Sequence, residues 1–531
     1  MTKNLTGLLL ILAALLGVLG ELHGWLLPTI SWPFTLSREF ECLQYPGWYT
    51  PWLEVDGRCH WFGWLCMALL ALLGCTILLR SRDSLRLPPE YRKRLQRFAS
   101  IRRGKWSLIL LGLLLVLAGL DQSIVGKRAL AVEYKGRWYF PAFTRAVLPG
   151  STFDLMGDDE RAETDYRALA QEQGCPGRPS LVLMPPVPYE PVADVAPFPT
   201  EPLEWRGELL CRHNGQPYNG LACRLYPDGQ VHLRLRYRNG RPDGQATGWA
   251  RDRREVYSAH YAAGKLRSSS YADAADPTDF LAQSDPHRLY IVYYHPAPPL
   301  TGGHLLGTNS QGADILAYLY GGLQVNIKAA LLYLPVIYAI GLTVGMLMGY
   351  FGGRFDLVVQ RGIEILSQLP FLFVVMILSD LVPQELRGFV LILGLLCLFG
   401  WMPMTYLIRT ATMKEKTRDY VAAARVMGAG PMHILFRHIL PNLTGIIVTL
   451  VPFSVAAVVL SLTSLDYLGF GLPDTYAGWG RLLNDGLSKL SSPWIVSSAF
   501  GALVATLLMV TFIGEAFREA SDPRRRTYYE S

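Results

Sequence analysis

Charge is scarce in this sequence. Only 18% of the 531 residues are Asp, Glu, Lys or Arg and 50% are hydrophobic, giving a positive mean hydropathy of +0.21, where a soluble domain carries roughly one quarter charged residues. That shortage excludes a soluble enzyme, a disordered chain and a coiled coil. No G-x-x-x-x-G-K-[ST] occurs: the Gly-Lys pairs Gly104-Lys105, Gly126-Lys127 and Gly264-Lys265 are not followed by Ser or Thr, so the chain cannot cradle nucleotide phosphates in a P-loop. No G-x-S-x-G is present, and the ten His show no metal-ligand spacing with Cys or carboxylates, so neither a catalytic residue nor a metal site is assigned. The 50 Lys and Arg against 43 Asp and Glu are too even a balance for a nucleic-acid partner. No A-x-A site follows the first apolar run, so that run reads as an uncleaved anchor.

What the sequence has is apolar runs. Residues 61–79, 329–353, 388–408, 439–465 and 490–514 are charge-free, and each is near the about 18–20 residues that span hydrocarbon. Leu5 to Gly20, Trp106 to Leu120 continuing past Asp121 to Gly126, and Ile365 to Ser379 between Glu364 and Asp380 are interrupted versions, bringing the expected spans to eight. The fold class expected is mainly α, a polytopic membrane helix bundle. Arg80, Arg82, Arg86, Arg92, Lys93, Arg94, Arg97, Arg102, Arg103 and Lys105 crowd the loop between the second and third spans, which places that loop and both termini in the cytoplasm. The segments so delimited are 1–80, two extra spans with an outer loop; 81–106, a basic inner loop; 107–126, a span; 127–202, an outer segment; 203–275, a β-repeat; 276–324, an outer segment with an amphipathic helix; 325–515, the main helical domain; and 516–531, an inner tail. Glu364, Asp380 and Asp466 read as span-end charges, with lining of a path as the alternative for Asp380 and Asp466.

No Cys falls in an inner loop; Cys42, Cys59, Cys175, Cys211 and Cys223 all fall outside. An oxidising compartment permits disulfides, so Cys42 with Cys59 and Cys211 with Cys223 are candidate pairs, the alternative being that they are small buried apolar residues.

The densest signal lies at 419–442. Asp419-Tyr420-Val421-Ala422-Ala423-Ala424-Arg425-Val426-Met427-Gly428-Ala429-Gly430-Pro431 reads as a short Ala-rich helix, a Gly hinge and a Pro just beyond it. His433 to Leu440 continues as a second amphipathic helix ending at Pro441, where the next span begins. Small residues on a short exposed helix let another protein approach closely; Arg425, Arg437 and His438 equally suit a helix lying on a membrane surface. The stretch resembles the EAA loop of ABC importer permeases, the coupling helix that docks into a groove on a cytoplasmic ATPase. Tyr420, Val421, Ala423, Ala424, Arg425, Gly428 and His438-Ile439-Leu440-Pro441-Asn442 match. The family's usual acidic residue falls at Ala422, with Asp419 the nearest replacement. On this resemblance the ATPase-coupling residues are Asp419, Tyr420, Ala423, Ala424, Arg425, Gly428 and Pro441.

Two further stretches are similar to the dipeptide and oligopeptide branch of that family. His304-Leu305-Leu306-Gly307-Thr308-Asn309-Ser310-Gln311-Gly312-Ala313-Asp314 matches its HxLGTDxxGRD segment, with Asn309 for Asp and Ala313 for Arg; Ser464 to Gly471 with Trp479-Gly480 and Leu483-Asn484-Asp485 matches the outer loop before the last span. Ala131 to Pro141, Asp154 to Tyr166 and Pro185 to Tyr189 resemble the Yej-type subgroup, importers of peptides and microcin C. The resemblance spans 107–200 and 286–520. It implies a bacterial inner-membrane permease with a type I importer core at 325–515, driven by two ABC ATPase domains that carry ATP and magnesium, so that this chain binds no cofactor itself. It further implies a second permease subunit, a periplasmic substrate-binding protein, a peptide substrate and contact with membrane lipid.

Residues 203–271 change character. Tyr226-Pro227-Asp228-Gly229, Tyr237-Arg238-Asn239-Gly240 and Tyr261-Ala262-Ala263-Gly264 repeat an aromatic-x-x-Gly pattern, and Asn-Gly and Asp-Gly between strand-like runs are hairpin turns. The segment reads as a β-meander and resembles MORN-type repeats. Arg234, Arg236 and Arg238 alternate and so share one strand face, either a solvated face or a basic docking surface for an acidic partner or lipid headgroups. The leading function is a permease subunit of a peptide importer. The competing readings are an envelope sensor using the β-repeat with the helical half as its anchor, and, weakest, an enzyme.

Overall fold

A computed structural model describes residues 2–37, 54–55, 58–59, 61–79, 89–155, 163–171, 173, 179–192, 194, 198–213, 215–226, 230–271, 283–285, 287–382 and 388–521. The chain divides into two units, Met1–Asp194 with Ala317–Ser488 and Val496–Ser531, and Val195–Leu316 with Lys489–Ile495.

The first unit is helical along most of its apolar runs; the expected span Ile365–Ser379 is corrected, since it is broken at 368–370. The unit begins with α1 (Thr2–His23) and α2 (Trp61–Leu79), two helices packed backbone to backbone: a Cβ on Gly7 would lie 3.0 Å from the Gly74 carbonyl, and one on Gly74 2.8 Å from the Gly7 carbonyl. Small residues at a helix crossing allow this approach. Amphipathic α3 (Pro89–Ser100) occupies the basic loop and leads into α4 (Arg102–Gly119). Three short strands follow, β1 (Ala131–Tyr134), β2 (Arg137–Tyr139) and β3 (Leu181–Leu183), in the order β2-β1-β3 over a small core of Val132, Phe153, Tyr166 and Val182.

The second unit is built on an eight-stranded antiparallel sheet: β4 (Thr200–Arg206), β5 (Leu209–Cys211), β6 (Gly220–Leu225), β7 (Val231–Arg238), β8 (Arg241–Trp249), β9 (Glu255–Ala262), β10 (Lys265–Tyr271) and β11 (Leu289–Val292), ordered β10-β9-β8-β7-β6-β11-β4-β5. Strands β6 to β10 are the expected meander. The boundary expected at 203–275 is corrected, however, because β11 comes from beyond it and inserts between β4 and β6, with Leu289 opposite Leu203 and Tyr290 opposite Cys223. Alternation decides the faces: Leu233, Leu235 and Tyr237 of β7 enter the core with Ala246, Tyr257, Leu289 and Ile291, while Arg234, Arg236 and Arg238 take the other side.

Beyond the sheet run α5 (Ile315–Phe351), α6 (Gly353–Ser367), α7 (Phe371–Leu381), α8 (Phe389–Lys416), α9 (Asp419–Val426), α10 (Leu440–Tyr467), α11 (Trp479–Ser488) and α12 (Pro493–Ser521). The division expected at residue 324 is absent. Helix α5 is continuous for 37 residues, roughly 55 Å at 1.5 Å per residue and so longer than a bilayer core. Among the described residues five helices are long and apolar enough to cross a membrane, and α6 with α7, bent by 65°, makes a sixth candidate. Helix α2 is shorter in its apolar part, and α4 carries Arg102, Arg103 and Lys105 in its first turn.

Glycines bring α5 against α8. Gly341, Gly345 and Gly349 recur every four residues, and Cβ atoms there would lie 3.2, 2.7 and 2.6 Å from the carbonyls of Trp401, Thr405 and Arg409, which recur at the same interval on α8. At the end of this seam Arg409 Nε and Nη2 donate to Asp356 Oδ1 and Oδ2, each at 2.5 Å, tying α8 to the first turn of α6.

Candidate functional site

The stretch at 419–440, expected to couple, is a short helix, a glycine cap and a turn that widens into α10. Gly428 has φ +83; its N–H donates to the Arg425 carbonyl at 2.9 Å and the Ala429 N–H to the Ala424 carbonyl at 3.0 Å. These two bonds form a Schellman cap, which needs a left-handed residue just beyond the helix. A Cβ at Gly428 would meet nothing within 4 Å, so within this chain it is the backbone angle alone that favours glycine there. Pro431 then opens a helical turn that passes through a six-residue π-helical segment, Ile434–Ile439, directly into α10. The stop expected at Pro441 is therefore corrected: proline offers no N–H, and the widened turn removes the need for that bond, so the helix runs on.

Burial separates the roles of the expected coupling residues. Val421 and Ala424 face inward and pack with Ile434, Leu435 and Ile439 against Met346, Met404 and Ile408. Tyr420 is half-buried and donates to Glu415 Oε2 at 2.8 Å; burial first, then that hydrogen bond, pushes its phenol up to about 12. The exposed Arg425 lays its guanidinium 5.1 Å from the centre of the Tyr350 ring, with Lys416 Nζ at 5.8 Å from the same ring. Asp419, Ala422 and Ala423 are exposed. What the sequence reading missed is apolar: Val426 and Met427 are 89% and 79% exposed, with Met432 and Phe436 also largely open. A valine and a methionine directly before a capping glycine, in a segment flanked by charge, are the signal that was available. An apolar knob of this kind marks a contact surface.

The other matched motifs are structural. His304 Nδ1 lies 2.8 Å from Asp314 Oδ2, both residues 2% exposed, and Asn309 Oδ1 accepts from the Gln311 and Ala313 N–H groups at 3.0 and 2.8 Å. Asn at 309 thus supplies the acceptor that the family's Asp would supply. Asp466 is buried and accepts from the Leu472 N–H at 2.9 Å, while a Cβ on Gly471, Gly478 or Gly480 would collide with Asp466 or the Thr463 carbonyl. Asp466 therefore organises the loop before α11. The Asp380 side chain lies outside what is described.

The arginine trio shares one face, as alternation requires, yet its members differ. Arg234 is half-buried with its guanidinium 5.0 Å from the Trp249 ring centre, Arg238 lies 3.8 Å from Asp243, and Arg236 is exposed. Cys211 and Cys223 are both buried free thiols, on β5 and β6 with β4 and β11 between them, so the pairing expected of them is not formed. Burial pushes the Cys223 thiol up to about 11. The pairing of Cys42 with Cys59 falls outside the described residues.

Residues 341–527 match the family described as binding-protein-dependent transport system inner membrane component. The chain is 36% identical over 230 residues to the peptidoglycan transport system permease protein YejE of Agrobacterium fabrum, covering 43% of this chain and 60% of that relative. It is also 36% identical over 230 residues to the inner membrane ABC transporter permease protein YejE of Escherichia coli, covering 43% and 66%. Against the oligopeptide transport system permease protein OppC of Lactococcus lactis it is 33% identical over 251 residues, covering 47% of this chain and 84% of the relative. The chain thus spans less than two thirds of the length of the two YejE proteins.

Proposed function

The chain belongs to the family of binding-protein-dependent transport system inner membrane components, and from that premise we propose that it is a permease subunit of an importer for peptides or peptide-like compounds, driven by ATPases on partner chains. The observation that carries this reading is the 419–441 turn: a capped helix that lifts Val426 and Met427 into the open while Val421 and Ala424 anchor it to α8 and α10. A force applied to that knob acts on two long helices at once. The partners in this reading are two ATPase domains holding ATP and magnesium, a second permease subunit and a periplasmic substrate-binding protein.

In the same reading the eight apolar helices all cross the inner membrane and both termini are cytoplasmic. Packing supports it. Phe98 of α3 stacks on Phe517 of α12 at 4.3 Å, and Arg103 of α4 reaches Glu519 at 3.0 Å. At the opposite ends Tyr320 of α5 donates to the Leu117 carbonyl of α4 at 2.7 Å, and Trp479 Nε1 to the Leu319 carbonyl at 3.0 Å. Helix ends that an eight-span topology assigns to one side are thus found together.

The test is co-purification of the ATPases with a tagged chain, read beside uptake of a labelled peptide. Replacing Val426 and Met427 together by Asp should abolish both while the chain still inserts. Undiminished co-purification would refute the assignment.

A further inference from the structure

The Asp121 end of α4, the segment just after α1 and the first turns of α5 surround a cavity of about 530 Å³. Its walls hold three cations, Lys127, Arg128 and Arg145, and three carboxylates, Asp121, Glu163 and Glu190. They are partly paired: Arg128 Nε donates to Glu163 Oε1 at 2.6 Å, Lys127 Nζ lies 3.1 Å from Glu190 Oε2, and Arg145 Nη1 donates to Glu21 at 2.8 Å. Three buried polar atoms on lining residues have no hydrogen-bond partner: the donor Arg145 Nε and the acceptors Gln122 Oε1 and Glu190 Oε2, the last held only by its ion pair with Lys127. Buried polar atoms are normally satisfied, so walls that orphan one donor and two acceptors and carry charges of both signs suit a ligand with both acceptors and donors. A smaller hollow of about 180 Å³ shares Asp121 and Gln324 with it and continues between α4 and α5 along Leu115, Ala118, Ile327 and Leu331. At its rim Lys328 Nζ lies 5.8 Å from the Trp32 ring centre, an aromatic and cationic pair of the kind found at membrane interfaces.

We propose that the two hollows hold one zwitterionic phospholipid of the ethanolamine class. The phosphate faces Lys127 and Arg128, the ammonium faces Glu190 and Glu163, and an acyl chain lies between α4 and α5. The balanced wall charge disfavours a purely anionic headgroup, because three carboxylates would face it. A free zwitterionic peptide would fill the polar cavity and leave the apolar hollow empty. The proposal deepens the permease reading and rests on α4 and α5 being membrane spans.

The full chain, reconstituted in nanodiscs with equal amounts of phosphatidylethanolamine, phosphatidylcholine and phosphatidylglycerol and then released for native mass spectrometry, should retain one ethanolamine lipid. Lys127→Gln, which removes a charge-assisted contact, and Leu115→Trp, which fills the apolar hollow, should each weaken retention by about tenfold. Retention of phosphatidylglycerol to the same extent, no retained lipid, or unchanged retention in both variants would overturn the proposal. So would displacement of the lipid by tri-alanine, which would assign the cavity to peptide. The membrane premise is read separately: in sealed vesicles a Leu115→Cys variant should resist a membrane-impermeant maleimide. Labelling there would sink the span assignment together with the lipid site; protection without bound lipid would sink the lipid site alone.

Discussion

Replacing Gly345 by Ala tests the α5–α8 seam at its tightest interior point. The new Cβ would sit 2.7 Å from the Thr405 carbonyl and 3.0 Å from Ile408 Cβ. Ordinary contact begins near 3.4 Å, so the helices must part locally by about 0.7 Å, and backbone atoms cannot swing aside as a flexible side chain would. Overpacking of this kind costs about 1–3 kcal/mol. Alanine also stabilises a helix relative to glycine by up to about 1 kcal/mol, which would mask part of the loss if Gly345→Ala were read alone. Gly394 supplies the control: it lies within α8 and a Cβ there meets nothing within 4 Å, so Gly394→Ala carries the propensity gain without the clash. The difference between the two variants, measured by SDS titration of the purified chain in dodecylmaltoside micelles, isolates the seam and should be about 1–3 kcal/mol against Gly345→Ala. Adding Gly349→Ala, whose Cβ would lie 2.6 Å from the Arg409 carbonyl, should cost less than a second full increment, since one separation of the helices relieves both collisions. Equal stability of Gly345→Ala and Gly394→Ala within about 0.5 kcal/mol would refute close packing at this seam.

Three further outcomes follow from one or two residues each. Gly428→Val places a β-branched residue at φ +83, at about 1–3 kcal/mol of local strain; peptide uptake should fall while Gly428→Asn, tolerated in the left-handed region, retains most of it. If Asn proves as damaging as Val, space against a partner rather than the backbone angle is what glycine provides. Cys211 and Cys223 should both be alkylated in the unfolded, non-reduced protein and neither in the native one, as mass spectrometry of the peptides would show; their recovery as a disulfide would contradict the free thiols. Reversing Arg236 and Arg238 to Glu leaves Arg234 on Trp249 and should not lower the thermal midpoint of the intact chain. Lost co-purification of the binding protein in that variant would mark the strand as a docking surface, and unchanged binding would leave it a solvated face.

The long helices were legible because a bilayer imposes length and apolarity together, but the run at 365–379 is not one helix: it falls across the 65° bend between α6 and α7. The glycine seam was legible in principle as G-x-x-x-G-x-x-x-G over Gly341, Gly345 and Gly349, but it lies inside an already apolar run, where composition says only that a helix is present. Pro441 misled for a physical reason: the rule that proline ends a helix assumes an α-helical turn before it, and Ile434–Ile439 is widened. Three of the four hairpins of β6 to β10 announced themselves through the aromatic-x-x-Gly spacing, whereas the β8–β9 connection at 250–254 and strand β11 did not. The pairing of β11 with β4 joins Leu203 to Leu289 across the six intervening strands β5 to β10, and a non-local register leaves no turn signal in the chain. Val426 and Met427 left no signal of exposure in themselves because an apolar pair beside Ala-rich helix residues reads as buried, and only the cap at Gly428 turns it outward.

That non-local strand changes where the insert can be cut. Excising 206–270 would leave β4 and β11 paired but strip the rest of their core, opening Leu203, Leu289 and Ile291, now buried against Leu233, Leu235 and Tyr237. Exposing each costs about 1.5–3 kcal/mol, and the bare two-stranded pair presents open edges that invite aggregation. Cutting outside both strands avoids this. The Tyr293 N–H donates to the Pro199 carbonyl at 2.9 Å, so residues 199 and 293 are already neighbours and a few glycines in place of 200–292 span the gap. The longer excision should therefore yield a chain that inserts and stays monodisperse, and the shorter one a chain that aggregates or is degraded, as membrane fractionation and size-exclusion chromatography in detergent would read. A monodisperse product from the 206–270 excision and a collapsed one from the 200–292 excision would reverse the argument, showing that the sheet supports the membrane half rather than standing on its own closing strand.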